Sequence, residues 1–240
     1  MQYKTAWVLL QKFRETLNLT KDLTPLQGEV HIDGCYVNHY IRPRNFKHKR
    51  IDRRAKRHQR KDKACVMVFR QKTANQDNFK GGDKSIVALI KEENSEDVQA
   101  LTHALVKPNS KICADENPAY DNLIYHYDLW RVNHSQEYCS IDSITNNLAE
   151  SFFARFRKLQ KGIHHKLSNK YMMLYANETA WREDNRRKSE QEKFDDLLLR
   201  SLTTKPLKDF IGYWQGNKKG KPKFGLESVV ANDTNYLAVA

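Results

Sequence analysis

The stretch from residue 146 to residue 162 reads NNLAESFFARFRKLQKG, and on a helix it divides into two faces. Its apolar side chains recur at i, i+4, i+8 and i+11 and form one stripe: Leu148, Phe152, Phe156 and Leu159. Glu150 points away from this stripe. Its neighbours on the polar face are amides and cations: Asn146, Asn147, Arg157 and Lys161. The pattern predicts a helix with one buried face. Glu150 is either a metal-binding acid beside a polyanion or an ordinary residue of a solvated helix face.

The charge of the chain is strongly positive and unevenly spread. The 240 residues carry a formal net charge of +13, and residues 42–63 alone contain twelve Lys or Arg against two Asp. A stretch of this composition cannot bury itself. It is either a solvated loop or an insert that contacts DNA phosphates, and the concentration of charge favours the second reading. The candidate DNA contacts here are Arg42, Arg44, Lys47, Lys49, Arg50, Arg53 and Arg54.

The cysteines and apolar runs exclude several classes of protein. Cys35, Cys65, Cys113 and Cys139 form no Cys-x-x-Cys pair, which argues against a zinc knuckle and a disulfide framework. Reduced thiols in a cytoplasmic protein are the simplest interpretation. No apolar run is long enough to span a bilayer, and the N-terminus lacks a secretory pattern, so we expect no membrane partner.

The periodicities predict an α/β fold in which strands come first and then alternate with helices. Five apolar or alternating runs predict strands, the first two pairing antiparallel: residues 29–37, 64–70, 85–90, 111–114 and 130–132. Helical patterns cover residues 4–18, 95–106, 118–125, 146–162 and 168–187. In the last of these helices, Glu178 and Arg182 stand at i, i+4 in an aromatic stripe, which predicts a structural ion pair.

Three acids occupy positions that could converge. Asp33 lies in the middle of the first strand, where a carboxylate is either a satisfied edge residue or a site. Asp115 ends the fourth strand, a place where ligands collect in α/β sheets and also a place for a helix cap. Together with Glu150, these acids could hold a pair of divalent ions that act on a phosphodiester, and binding through few carboxylates and water suits magnesium.

Several stretches together resemble the DDE-type insertion-sequence transposases of bacteria, in particular the ISXO2-like group. Those that carry the resemblance are HIDGCY (31–36), CADE with AY (113–116, 119–120), RVNH (131–134), TNNLAESFF (145–153) with the cations after it, and YANETAWRED (175–184). Their order and spacing are specific although each motif is weak. The resemblance covers roughly residues 5–215 and implies a ribonuclease-H-like mixed sheet flanked by helices.

The resemblance also implies site residues, cofactors and partners. Asp33, Asp115 and Glu150 would be the catalytic and metal-binding triad, with two Mg2+ or Mn2+ ions. Arg157 or Lys158 would be the basic residue that follows the glutamate, and Lys161 would add a DNA contact. Asn133, His134 and Asn147 are candidates for the rim of the site. The expected partners are transposon ends and target DNA, bound by a homodimer or higher oligomer in the bacterial cytoplasm, at the nucleoid.

The expected organisation is a residual N-terminal helix and linker (1–27), a catalytic domain (28–190) with a basic insert (39–63), and a C-terminal extension with a basic tail (191–240). Members of this group usually begin with a zinc ribbon and a helix-turn-helix region, and this chain shows no zinc ligands there. The predicted activity is metal-dependent cleavage and strand transfer at the ends of a mobile element. The alternatives are an inactive DNA-binding remnant and a structure-selective nuclease of the same fold.

Overall fold

The computed structural model describes residues 1–37, 45–50, 63–74, 81–132, 146–165, 167–205, 212 and 221–230. Within them, five strands form one mixed sheet: β1 (Glu29–Val37), β2 (Ala64–Lys72), β3 (Gly82–Ile90), β4 (Lys111–Asp115) and β5 (Asp128–Val132). The spatial order is β3-β2-β1-β4-β5. The first three strands are antiparallel, and β4 and β5 run parallel to β1. This mixed α/β arrangement is compatible with a ribonuclease-H-like fold.

Helices cover both faces of the sheet. The α-helices in the described ranges are α1 (Tyr3–Leu19), α2 (Ser95–Leu105), α3 (Asn147–Lys158), α4 (Asn169–Asp184), α5 (Glu190–Thr203) and α6 (Leu226–Val229). A 3₁₀ helix spans Pro118–Tyr125, and a π-helical turn, Leu159–His164, continues α3. No helix in the described part of the chain is long and apolar enough to cross a bilayer.

The side chains of β1 point alternately into two hydrophobic cores, one on each face of the sheet. Val30 and Ile32, both fully buried, pack with side chains of α2, the 3₁₀ helix and α6. Cys35 and Val37 lie on the opposite face and pack with α3 and α4. Because side chains alternate along a strand, Asp33 belongs to the second face, the one that α3 covers.

The five predicted strands are confirmed, as is the antiparallel pairing of the first two. Two helical segments differ from the prediction. The segment after Pro118 forms a 3₁₀ helix, which Asn117 caps by accepting from the Ala119 N–H at 3.0 Å. Helix α5 was not predicted. It begins with a capping box in which the side chains of Ser189 and Glu192 satisfy each other's backbone N–H groups.

The N-terminal helix is held to α4 by a buried ion pair. Arg14 Nε donates to Glu178 Oε2 at 2.6 Å, and both residues are more than nine-tenths buried. Glu178 also accepts from Arg182 at 2.8 Å, which confirms the predicted i, i+4 pair. These contacts join α1 to the helix layer over the second core. The division into residues 1–27, 28–190 and 191–240 remains a prediction.

Within the described ranges, Arg70 on β2 is among the largest side chains that are almost completely buried, with 2% exposed. Its Nη1 donates to the Leu148 carbonyl at 3.0 Å and to Ser151 Oγ at 3.2 Å. Its Nη2 donates to Glu183 Oε2 at 2.9 Å. One guanidinium therefore connects the sheet to the first turns of α3 and to the end of α4. Gly82 provides the space, since a Cβ there would lie 2.5 Å from Arg70 Nε.

We expect Arg70→Met to lower the free energy of unfolding by about 3–5 kcal/mol, because the substitution leaves the Glu183 carboxylate buried with less compensation. The matched control is Lys72→Met, two residues along the same strand. The Lys72 side chain is half exposed and pairs with Glu29 at the surface, so its loss should cost no more than about 1 kcal/mol. Urea unfolding of both variants measures the difference, and equal effects would contradict the structural role of Arg70.

Candidate active site

Two of the predicted acids lie side by side on the central strands. β1 and β4 run parallel, and His31 pairs in register with Cys113. Asp33 and Asp115 each follow two residues later, so they project from neighbouring strands on the same face. Asp115 is the final residue of β4, and its Oδ1 accepts from the Asn117 N–H at 2.9 Å. Both side chains are partly buried.

The start of α3 holds the third acid near Asp33. Asn146, which is 1% exposed, donates from Nδ2 to the Ile32 carbonyl at 3.2 Å, one residue before Asp33. The Glu150 N–H bonds to the Asn146 carbonyl at 3.2 Å. Because Asn146 and Arg70 both hold the first turn of α3, Glu150 comes close enough to Asp33 to act on its pKa.

A fourth carboxylate, Glu93, joins this group and was missed in the sequence. It follows β3, and its Oε1 accepts a hydrogen bond from the Tyr120 hydroxyl, while its N–H donates to the Tyr36 hydroxyl at 2.9 Å. A Cβ on Gly34 would lie 2.8 Å from Glu93 Oε1, so the glycine leaves room for this carboxylate beside Asp33. The run KEEN offered no signal that separates Glu93 from Glu92.

The carboxylate cluster, which we define as Asp33, Glu93, Asp115 and Glu150, is electrostatically strained. Burial raises the pKa of Asp33 to about 7, the charges of Asp115, Glu93 and Glu150 add to this rise, and the Gly34 N–H opposes it. Burial also raises the pKa of Glu93. Like charges gathered in a partly buried site are stabilised by a bound divalent cation, and carboxylate oxygens are the ligands that Mg2+ prefers. The donor set therefore fits such an ion.

The predicted basic residues fall into two groups. Arg157 donates from Nη2 to Cys35 Sγ at 3.3 Å, which places its guanidinium along β1 beyond Asp33, and its neighbours Lys158 and Lys161 are exposed. Lys47, Lys49 and Arg50 are exposed around a single 3₁₀ turn. Arg42, Arg44, Arg53 and Arg54 lie outside the described residues, as do the rim candidates Asn133 and His134. Asn147 is exposed at the first position of α3.

The strand order β3-β2-β1-β4-β5, with helices on both faces, is compatible with a ribonuclease-H-like fold. A family model, the ISXO2-like transposase domain, matches residues 25–184. The match covers about two thirds of the chain and contains all five strands and α2 to α4. The chain therefore belongs to the ISXO2-like transposase family. A search of curated proteins and a search of solved structures each gave no match.

The raised pKa of Asp33 predicts a pH-dependent cost of folding. An aspartate titrates near 3.8 when unfolded and near 7 here, so the folded state holds the proton more tightly. Stability of the metal-free protein should fall as the pH rises from 3.8 to 7 and then level off. Asp33→Asn removes the part of this fall that Asp33 causes, whereas buried Asp184, whose pKa is also raised to about 7, contributes equally in both proteins. Above pH 7 the variant should be the more stable by at most about 4 kcal/mol, at about 1.4 kcal/mol per pKa unit.

Urea unfolding in the presence of a chelator, repeated across this pH range, measures the difference. Asp195→Asn on the exposed face of α5 controls for removal of a negative charge and should change stability by less than about 0.5 kcal/mol. An advantage for Asp33→Asn that is the same at every pH would show that Asp33 is not strained by its neighbours.

Proposed function

We propose that this transposase domain catalyses metal-dependent cleavage and strand transfer at the ends of a mobile DNA element, with Asp33, Asp115 and Glu150 as metal ligands. The observation that carries the proposal is the proximity of these carboxylates from β1, β4 and α3: burial raises the pKa of Asp33, and the charges of Asp115 and Glu150 raise it further. Two Mg2+ ions held there would activate an attacking hydroxyl or water and stabilise the leaving oxygen of the phosphodiester.

The residues around the cluster would hold its carboxylates in position. The Gly34 N–H donates to Asp33 Oδ1 at 2.8 Å, and the Asn117 N–H orients Asp115. Arg131 fixes the loop after β4 by donating to the Asn117 carbonyl at 2.7 Å and to Asp121 at 2.6 Å. With these groups fixed before the substrate arrives, little reorganisation is needed when DNA binds.

The cations around the site would hold the polyanionic substrate. Arg157, Lys158 and Lys161 follow Glu150 on α3 and its π-helical turn, so they would meet phosphates next to the scissile bond. The basic segment between β1 and β2 would add further phosphate contacts. We also propose that two DNA ends are processed by a dimer or higher assembly in the cytoplasm, at the nucleoid.

Asp115→Asn and Glu150→Gln should each abolish Mg2+-dependent cleavage and joining of element-end DNA. Changes that only disturb the surroundings of a metal site typically cost about 10–100-fold in activity, and loss of a ligand should exceed this. The control is Glu116→Gln, an exposed acid next to Asp115, which should keep full activity. Gel assays with Mg2+ and with Mn2+ measure both steps.

The same variants separate the rival functions. All of them should still bind DNA, with an affinity that falls steeply with salt, because phosphate contacts by the cations are intact. Cleavage that survives Asp115→Asn would refute the assignment of the triad. Salt-sensitive binding by the unaltered chain without any metal-dependent chemistry would identify an inactive remnant. Cleavage of branched DNA without joining would identify a nuclease.

Glu93 would support the same metal site as a positioning residue. Glu93→Gln should weaken Mn2+ binding by about 10–100-fold and lower the pKa of Asp33, because one of three neighbouring charges is removed. The matched control is Glu92→Gln, an exposed acid one residue earlier. Calorimetric Mn2+ titration gives the affinity, and carboxyl NMR signals give the pKa. An unchanged Asp33 pKa would contradict the role.

A further inference from the structure

A second group of metal-ligating side chains lies on the same face of the sheet, before the carboxylate cluster. Glu29 and His31 are alternate residues of β1, and Cys113 is the partner of His31 on β4. One ligand atom from each of the three lies within 4.8 Å of the others. His31 and Cys113 are almost fully buried, whereas a quarter of the Glu29 side chain is exposed and leaves a path from solvent.

We propose that Glu29, His31 and Cys113 bind a thiophilic divalent transition metal of the Zn2+ class, at a site separate from the carboxylate cluster. Imidazole and thiolate are soft ligands that favour Zn2+ over Mg2+. Tetrahedral zinc bonds of about 2.0–2.3 Å place donor atoms roughly 3.3–3.8 Å apart, so small side-chain movements would close the site. Cys113 binds as thiolate and releases its proton to solvent. Three protein ligands leave the fourth position for water.

The second nitrogen of His31 supports this assignment. His31 Nε2 lies 3.1 Å from Glu29 Oε1, while His31 Nδ1 is buried and has no hydrogen-bond partner within the described ranges. Asn146 Oδ1 is likewise buried without a partner there, and the Asn146 side chain is close enough to affect the imidazole. A metal-bound histidine usually donates its other N–H to an oxygen acceptor. With metal on Nε2, the Nδ1–H can donate to Asn146 Oδ1.

Lys72 is the group that would compete with the metal. Its ammonium lies 2.9 and 3.0 Å from the two Glu29 carboxylate oxygens and neutralises their charge. Half of its side chain is exposed, so it can swing into solvent when an ion binds. If the three residues formed only a structural polar network, removing Lys72 would loosen that network. If they form a metal site, removing Lys72 strengthens ion binding.

Titration of the purified full chain with Co2+, a spectroscopic substitute for Zn2+, tests the site. The unaltered chain should develop a thiolate-to-Co2+ charge-transfer band, and Cys113→Ser should lose it. Cys65→Ser, which alters another fully buried thiol, should keep it. Asp33→Asn should also keep the band, because Asp33 belongs to the other site, so the outcome does not depend on the proposed transposition chemistry.

Lys72→Ala provides a second test, because tighter Co2+ binding cannot result from a loss of folding. It should tighten Co2+ binding by about tenfold or more, in the range typical for groups that contact a metal ligand. The inference is overturned if the unaltered chain shows no band, if the band persists in Cys113→Ser, or if Lys72→Ala binds Co2+ no more tightly. If Cys113→Ser does not fold by circular dichroism, the band in the unaltered chain and the Lys72→Ala affinity decide.

Discussion

The burial of Arg70 is the constraint on which the site geometry depends. The sheet provides Asp33 and Asp115 by register alone, but Glu150 comes from a helix more than thirty residues further along the chain. A buried guanidinium is costly unless it is paired, and here the two terminal nitrogens donate to the Leu148 carbonyl on α3 and to Glu183 on α4, while Nε has no partner among the described residues. Helix α3 therefore cannot move from β2 without exposing an unpaired charge to the core. The position of Glu150 relative to Asp33 therefore depends on these contacts.

Gathering the carboxylates opposes folding, and the rest of the structure offsets that cost. Burial and three neighbouring carboxylates act together on Asp33, a position where an apolar residue would be more stable. The structure compensates with a hydrophobic core on each face of the sheet and with Asn146, whose amide satisfies the Ile32 carbonyl beside the site. A divalent ion held by these carboxylates would turn their mutual repulsion into favourable ligand contacts.

Much of this architecture could be predicted from the sequence because its signals are local. The alternation in β1, the apolar run of β2 and the Asn94 cap of α2 each specify one element, and Asp115 and Glu150 lie near enough to Asp33 for their charges to raise its pKa. Glu93 could not be predicted, because its place depends on the room left by Gly34 and on the distant Tyr120 hydroxyl. Arg70 was only the last residue of the second predicted strand (64–70), and its burial was not predicted. Its partners lie on α3 and α4, and no local pattern shows such contacts.

The strand β1 shows how one alternating pattern can present two kinds of metal donor. Its second face carries Glu29, His31 and Asp33 in succession, and the parallel strand β4 adds Cys113 and then Asp115. A shift of two residues along both strands therefore replaces an imidazole and a thiol with two carboxylates. Metal selectivity follows ligand softness, so hard ions favour the carboxylate end and thiophilic ions the other end. Asn146 donates a hydrogen bond to Ile32 and lies adjacent to His31. An ion bound at Glu29, His31 and Cys113 would therefore affect the first turn of α3, which positions Glu150.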